Sequence, residues 1–203
     1  MDMENCLDIT PHQYIVLKLL DANNAEPIGG RIIFQKLSFL ILKNFEKWFE
    51  DADFIPHRFG PYSASLEQAL EDLESIKTVQ EIPKKEIRIT EDGKNLLNDL
   101  ENKLQMVESS KEETKKQLED LISNIKEDFK GFSTVQMLAF IYKSYPEFID
   151  DSIVADSLDY EKLFLDLYER GMLGISKIAE LMGWPVDKAY DFIQEQSGRI
   201  HAQ

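Results

Sequence analysis

Apolar residues recur at three- and four-residue steps through most of this chain, and one short stretch alternates at two. Phe34, Leu37, Ile41, Phe45 and Trp48 fall on one side of a helix predicted over residues 31–48. Leu66, Leu70 and Leu73 make the inner stripe of a further helix, with Glu67, Glu71 and Asp72 outward and Ser63 as its cap. The alternating stretch is TVQEIPKKEIRIT. There Val79 and Ile82 read as one strand, Pro83-Lys84-Lys85 as a turn, and Ile87 and Ile89 as a second strand.

Local stop and start residues divide the rest. Thr10-Pro11-His12-Gln13 is a capping box with proline at the first helical position, so a helix starts there. Residues 21–30 read as a loop rich in Asn, Pro and Gly. Thr90 caps a helix that carries Leu97, Leu100, Leu104 and Val107. Ser110-Lys111-Glu112-Glu113 is a second box, opening a helix with a seam of Leu118, Leu121, Ile122, Ile125 and Phe129. That seam is expected to serve as a homodimer contact. A helix capped by Ser133 and Gln136 follows, then an acidic stretch, then a helix over 160–170 with Leu163, Phe164 and Leu167 inward. The last element is GISKIAELMGWPVDKAYDFIQ, residues 174–194, read as two helices about a turn at Gly183-Trp184-Pro185. Ala179 is small where two such helices touch, and Gly183 accepts the left-handed backbone of the turn.

The fold class expected is mainly α: a winged helix-turn-helix with a small two-stranded wing over 1–108, a helical connector over 109–150, and a C-terminal helix-turn-helix over 151–203. Two stretches carry family resemblance. GRIIFQKLSFLI, HRFGPYS, LEQALEDLES and the Thr90-x-x-Gly93 helix entry resemble an uncharacterised family of prokaryotic winged-helix proteins, some called phage-associated; the arrangement is distantly similar to the SocA-like antitoxin group. The helix at 133–148, ending in YPEF, is of a kind that also occurs there. LFLDLYERGMLGISKIAELMGWPVDKAYDFI resembles small helix-turn-helix proteins of the antitoxin type. These resemblances imply DNA-associated regulation or toxin neutralisation, and no reaction.

Charge changes this picture. The chain of 203 residues carries a formal net charge of -15, and the acidity is spread over both halves. Such a field repels phosphate backbones at long range and attracts basic partners. The expected function is therefore a non-enzymatic regulatory or antitoxin-like protein acting by protein contact, its partner a toxin or other basic protein, with weak DNA binding as a secondary property. A winged-helix transcription regulator, and an acidic structural subunit or immunity protein, are the alternatives.

Candidate DNA contacts follow from the few clustered cations: Lys84, Lys85, Arg88 and Lys94 on and near the hairpin, Arg58 before the third helix, and Ser176, Lys177 and Lys188 in the C-terminal pair. For the hairpin the plain alternative is a solvated tip guarded by lysine. Candidate partner contacts are Phe59, Tyr62, Trp184, Leu118, Leu121 and Ile125. Phe59 and Tyr62 read equally as packing under the start of the third helix.

No catalytic set is expected. His12, His57 and His201 make no metal-ligand spacing with Cys6, and no Gly-rich phosphate loop appears. No cofactor or metal is anticipated. One cysteine fits a reducing compartment, no apolar run approaches about 20 residues, and the opening MDMENCLDIT lacks an apolar core, so a cytoplasmic, membrane-free protein without a signal peptide is expected.

Overall fold

The computed structural model describes residues 9–45, 52–82, 85–107 and 112–200. The chain is mainly helical, with one small antiparallel hairpin, and forms two compact units. The first holds residues up to Ile55 and Pro61–Lys130; the second holds Pro56–Gly60 and Gly131 onward.

In the first unit the order is α1 (Pro11–Ala25), α2 (Arg31–Lys43), α3 (Ala64–Ser75), β1 (Val79–Ile82), β2 (Glu86–Ile89), α4 (Glu91–Val107) and α5 (Glu112–Asp128). Helix α1 begins at the expected capping box: Thr10 Oγ1 accepts from the Gln13 amide, and the Gln13 side chain accepts from the Thr10 amide. It is the hub of the unit, packing on α3, α4, α5 and β2. Ile15, Val16, Leu17, Leu19 and Leu20 are all buried, so its apolar residues cover more than one face. The regular helix gives out at Ala22, and Asn23, Asn24 and Ala25 take positive φ.

Helix α2 ends at Lys43, shorter than the periodicity implies, and Trp48 lies outside the described residues. Leu66, Leu70 and Leu73 of α3 are fully buried, as expected, and Ser63 Oγ accepts from the Leu66 amide to cap it. The strands pair as Val79↔Ile89, Gln80↔Arg88, Glu81↔Ile87 and Ile82↔Glu86. Gly93 sits in the first turn of α4, where a Cβ would meet the Thr78 carbonyl oxygen and the Ile89 side chain. The Thr-x-x-Gly entry is thus a packing requirement: the hairpin root occupies the space a side chain would take.

The stretch expected as a separate connector is divided. Helix α5 belongs to the first unit, lying on α1 and α2. Leu118, Ile122 and Ile125 are buried there and Leu121 is half-buried. The seam expected as a dimer contact is therefore spent within one chain, because α1 supplies the apolar surface it needs. Lys18 Nζ, at 2.8 Å from Glu101 and 2.7 Å from Glu119, ties α1 to α4 and α5.

The second unit contains α6 (Thr134–Ser144), α7 (Tyr160–Glu169), α8 (Ile175–Met182) and α9 (Val186–Ile200). Ser133 and Gln136 form the expected capping box on α6. Tyr142 and Phe164 are the largest fully buried side chains of the unit, joined by Ile141, Leu167, Ile178, Ala179, Ala189 and Ile193. The α8–α9 turn is as read: Gly183 is left-handed (φ 65°), Ala179 is buried, and the Trp184 amide donates to the Ala179 carbonyl at 2.8 Å.

Candidate interaction face

Two motif fragments distant in sequence prove to be one structural device. Gln35 and Lys36 lie on the buried side of α2, each 3% exposed. Gln35 grips the backbone of Ser63 from both ends: its Nε2 donates to the Ser63 carbonyl at 3.1 Å, and its Oε1 accepts from the Ser63 amide at 3.0 Å. Lys36 Nζ donates to the Pro61 carbonyl at 2.7 Å. The QKL and FGPYS elements are thus the two halves of a lock that sets the start of α3. Burial away from water pushes the Lys36 amine down to about 7.

The lock fixes which side of α3 faces out. That side carries Glu67, Gln68, Glu71, Asp72 and Glu74. Arg31, at the first position of α2, reaches across to it. Its guanidinium lies 2.5 Å from Glu67, 2.6 Å from Glu74, 3.4 Å from Glu81 of β1 and 3.9 Å from Glu71. Burial works against the guanidinium's charge, yet hydrogen bonds and attraction from Glu67 and Glu74 hold its pKa above the ordinary value. One cation against four carboxylates leaves the face negative. Asp72 adds to it, held by Gln68 at 2.8 Å and Gln13 at 3.3 Å. Beside this cluster, between the end of α3 and β1, lies an open cleft of about 360 Å³ lined by Glu74, Lys77, Val79, Gln80 and Glu81.

The cations proposed for DNA fall in different units and are mostly engaged. Lys85 and Arg88 are exposed on the hairpin, Arg88 opposite Gln80, while Lys94 pairs with Glu91 at 2.8 Å. Lys84 lies outside the described residues. In the second unit Arg58 and Ser176 are exposed. Lys177 is 2.7 Å from Glu180 and 5.5 Å from the Phe140 ring centre, and Lys188 stands 4.3 Å over Trp184. Trp184 itself is half-buried with its ring edge-on to Phe192 at 5.4 Å.

Phe59 and Tyr62, read as partner contacts or as packing under the start of α3, fall in different units. Phe59 is half-buried in the second unit, where the Ile153 amide donates to the Arg58 carbonyl at 3.1 Å. Tyr62 stays with the first unit, its backbone bridged to Ile55 by two bonds of 3.0 Å. At the Gly60-Pro61 step the chain returns to the first unit, which it left after Ile55.

Three groups escaped sequence reading: Gln35 and Lys36 as a buried lock, Arg31 as the centre of the carboxylate cluster, and Lys126. Lys126 Nζ reaches the carbonyls of Leu19, Leu20 and Ala22 at 3.0, 3.4 and 2.8 Å and so caps the broken end of α1. Burial lowers its pKa to about 8. A polar residue on an otherwise apolar stripe was the available sign for Lys36 and Lys126.

Among the described residues no group of three or more His, Cys, Asp or Glu side chains is arranged to hold a metal ion, and no helix is long and apolar enough to cross a membrane. No protein-family model matches the chain, and no curated protein matches it.

Proposed function

We propose that the protein is a non-enzymatic, antitoxin-like regulator that acts by taking a basic protein partner on the outer face of α3. The first unit is read as a winged helix, with α3 in the recognition position and the β1–β2 hairpin as the wing. The observation that carries the proposal is the Arg31 cluster. The helix that would enter a DNA groove presents Glu67, Glu71, Asp72 and Glu74. Base edges and phosphates are read by Arg, Lys, Asn and Gln, and carboxylates facing phosphate cost affinity. The same face favours Lys- and Arg-rich protein surfaces, with the chain's acidity steering the encounter.

The exposed Lys85 and Arg88 favour one second reading, a DNA regulator that holds phosphate through its wing. Fluorescence anisotropy with labelled random-sequence duplex DNA separates the two. The protein-contact reading expects no binding near physiological salt, and a gain of DNA binding in the variant Glu67→Lys, Glu71→Lys. Wild-type binding at low salt that falls steeply with added salt, and is lost in Lys85→Glu with Arg88→Glu, would move the assignment to the DNA regulator.

A further inference from the structure

We propose that the outer face of α9 is a further partner surface, on which an amphipathic helix of apolar and basic residues docks against Val186 and Tyr190. The face shares no residue with α3 and goes beyond the assignment of that helix.

The helical period of α9 gives the geometry. Ala189 and Ile193 are buried and hold the helix to its unit. At 3.6 residues per turn Val186 and Tyr190 lie one above the other, immediately beside Ile193. The apolar stripe therefore runs on past the edge of the core, and the unit covers only part of it. Val186 is 55% exposed and Tyr190 50%. Six large apolar side chains are exposed among the described residues, and only here do two stand on successive turns of one helix. Single exposed apolar side chains are ordinary on a surface. A ridge of side chains at i and i+4 is what a second helix packs against.

Charge selects the occupant. Asp187, Asp191 and Glu195 are all exposed and run beside the ridge as a stripe of their own, one turn apart. Lys188 is the only cation between Val186 and Gln196, and it is drawn onto the Trp184 ring at 4.3 Å. A second copy would bring its own three carboxylates, and a formal net charge of -15, to a face already negative. Duplex DNA or an anionic lipid surface would set phosphate against the stripe. A helix with an apolar stripe bordered by Lys or Arg satisfies both halves of the face. Its apolar residues cover Val186 and Tyr190, and its cations meet the carboxylates.

The test uses the full chain and a blocked helical peptide with leucine along one stripe and lysine on both flanks. One control peptide carries glutamate for lysine, and another carries glutamine for leucine. Amide shifts are followed by NMR, and affinity by anisotropy of the labelled peptides. The expected result is saturable, salt-weakened binding of the Leu/Lys peptide that shifts the amides of Val186–Gln194, and no binding of the glutamate version. The variant Val186→Gln, Tyr190→Gln should bind roughly tenfold more weakly, the weight of about 60 Å² of apolar surface left in water. Glu67→Lys with Glu71→Lys should leave the α9 shifts in place, so the two surfaces stand or fall separately. If the Leu/Lys peptide shifts α3 alone or nothing, or the leucine-free peptide binds α9 equally well, docking on α9 is overturned. Duplex DNA shifting the α9 amides while the peptide does not overturns it as well. If Val186→Gln, Tyr190→Gln does not fold, the shifts of the wild-type chain with the Leu/Lys and leucine-free peptides decide.

Discussion

Replacing Lys36 by Met tests the lock between α2 and α3 through its pH dependence. In the unfolded chain Lys36 takes its proton near 10.5; in the folded chain burial lowers this to about 7. Between these values the unfolded state binds one proton more than the folded state, so stability rises with pH, by about 1.4 kcal/mol per pH unit for one such group. From pH 7.5 to 9.5 Lys36 alone contributes roughly 2–3 kcal/mol of increase. Lys126, lowered to about 8, adds in the same direction over the upper part of this window. Tyr14, pushed up to about 12 by burial, acts oppositely, but only above its unfolded value of 10. Methionine keeps the length of the side chain and abandons the bond to Pro61. At pH 9.5, where the wild-type amine is neutral and still donates, the variant should be less stable by about 2 kcal/mol, the cost of an unpaired buried carbonyl. At pH 7.5 that deficit should shrink or change sign, because the variant no longer hides a cation. Urea denaturation of both proteins at the two pH values, with exchange of the α3 amides (Ala64–Ser75) read by mass spectrometry, reports on the first unit. A deficit that stays constant with pH would refute the placement of Lys36 as a buried, near-neutral amine.

Three further outcomes are expected. Gln35→Leu leaves the Ser63 amide and carbonyl unpaired and should cost about 2–4 kcal/mol, seen as faster amide exchange at the start of α3. Lys126→Met uncaps the broken end of α1 and should cost about 2 kcal/mol at pH 7, read as a lower urea midpoint, with a flatter rise in stability between pH 8 and 10. Gly93→Ala and Gly183→Ala should differ sharply in thermal denaturation. The first drives a methyl into the Thr78 carbonyl and Ile89, for about 3 kcal/mol or more. The second meets open space and costs only the left-handed backbone, about 1 kcal/mol.

What the sequence determined by itself was whatever acts over a few residues. The boxes at Thr10 and Ser133, the single caps at Ser63 and Thr90, and the left-handed turn at Gly183 are all satisfied within four residues of themselves. The stripes Leu66, Leu70, Leu73 and Phe164, Leu167 point inward because a helix places such positions on one side whatever it packs against. Tertiary structure decided the choice of partners. The seam of α5 reads the same whether a second copy or α1 covers it; only the folded chain shows that α1 does. Arg31 and Glu67 lie 36 residues apart, Gln35 and Ser63 28, and Lys126 and Leu19 107, and no local pattern records which distant carboxylate or carbonyl a long side chain will meet. Apolar burial is non-directional, so periodicity reveals that a face is covered and not by what. A buried lysine is tolerated only where a specific acceptor waits, and three-dimensional packing alone brings that acceptor to it.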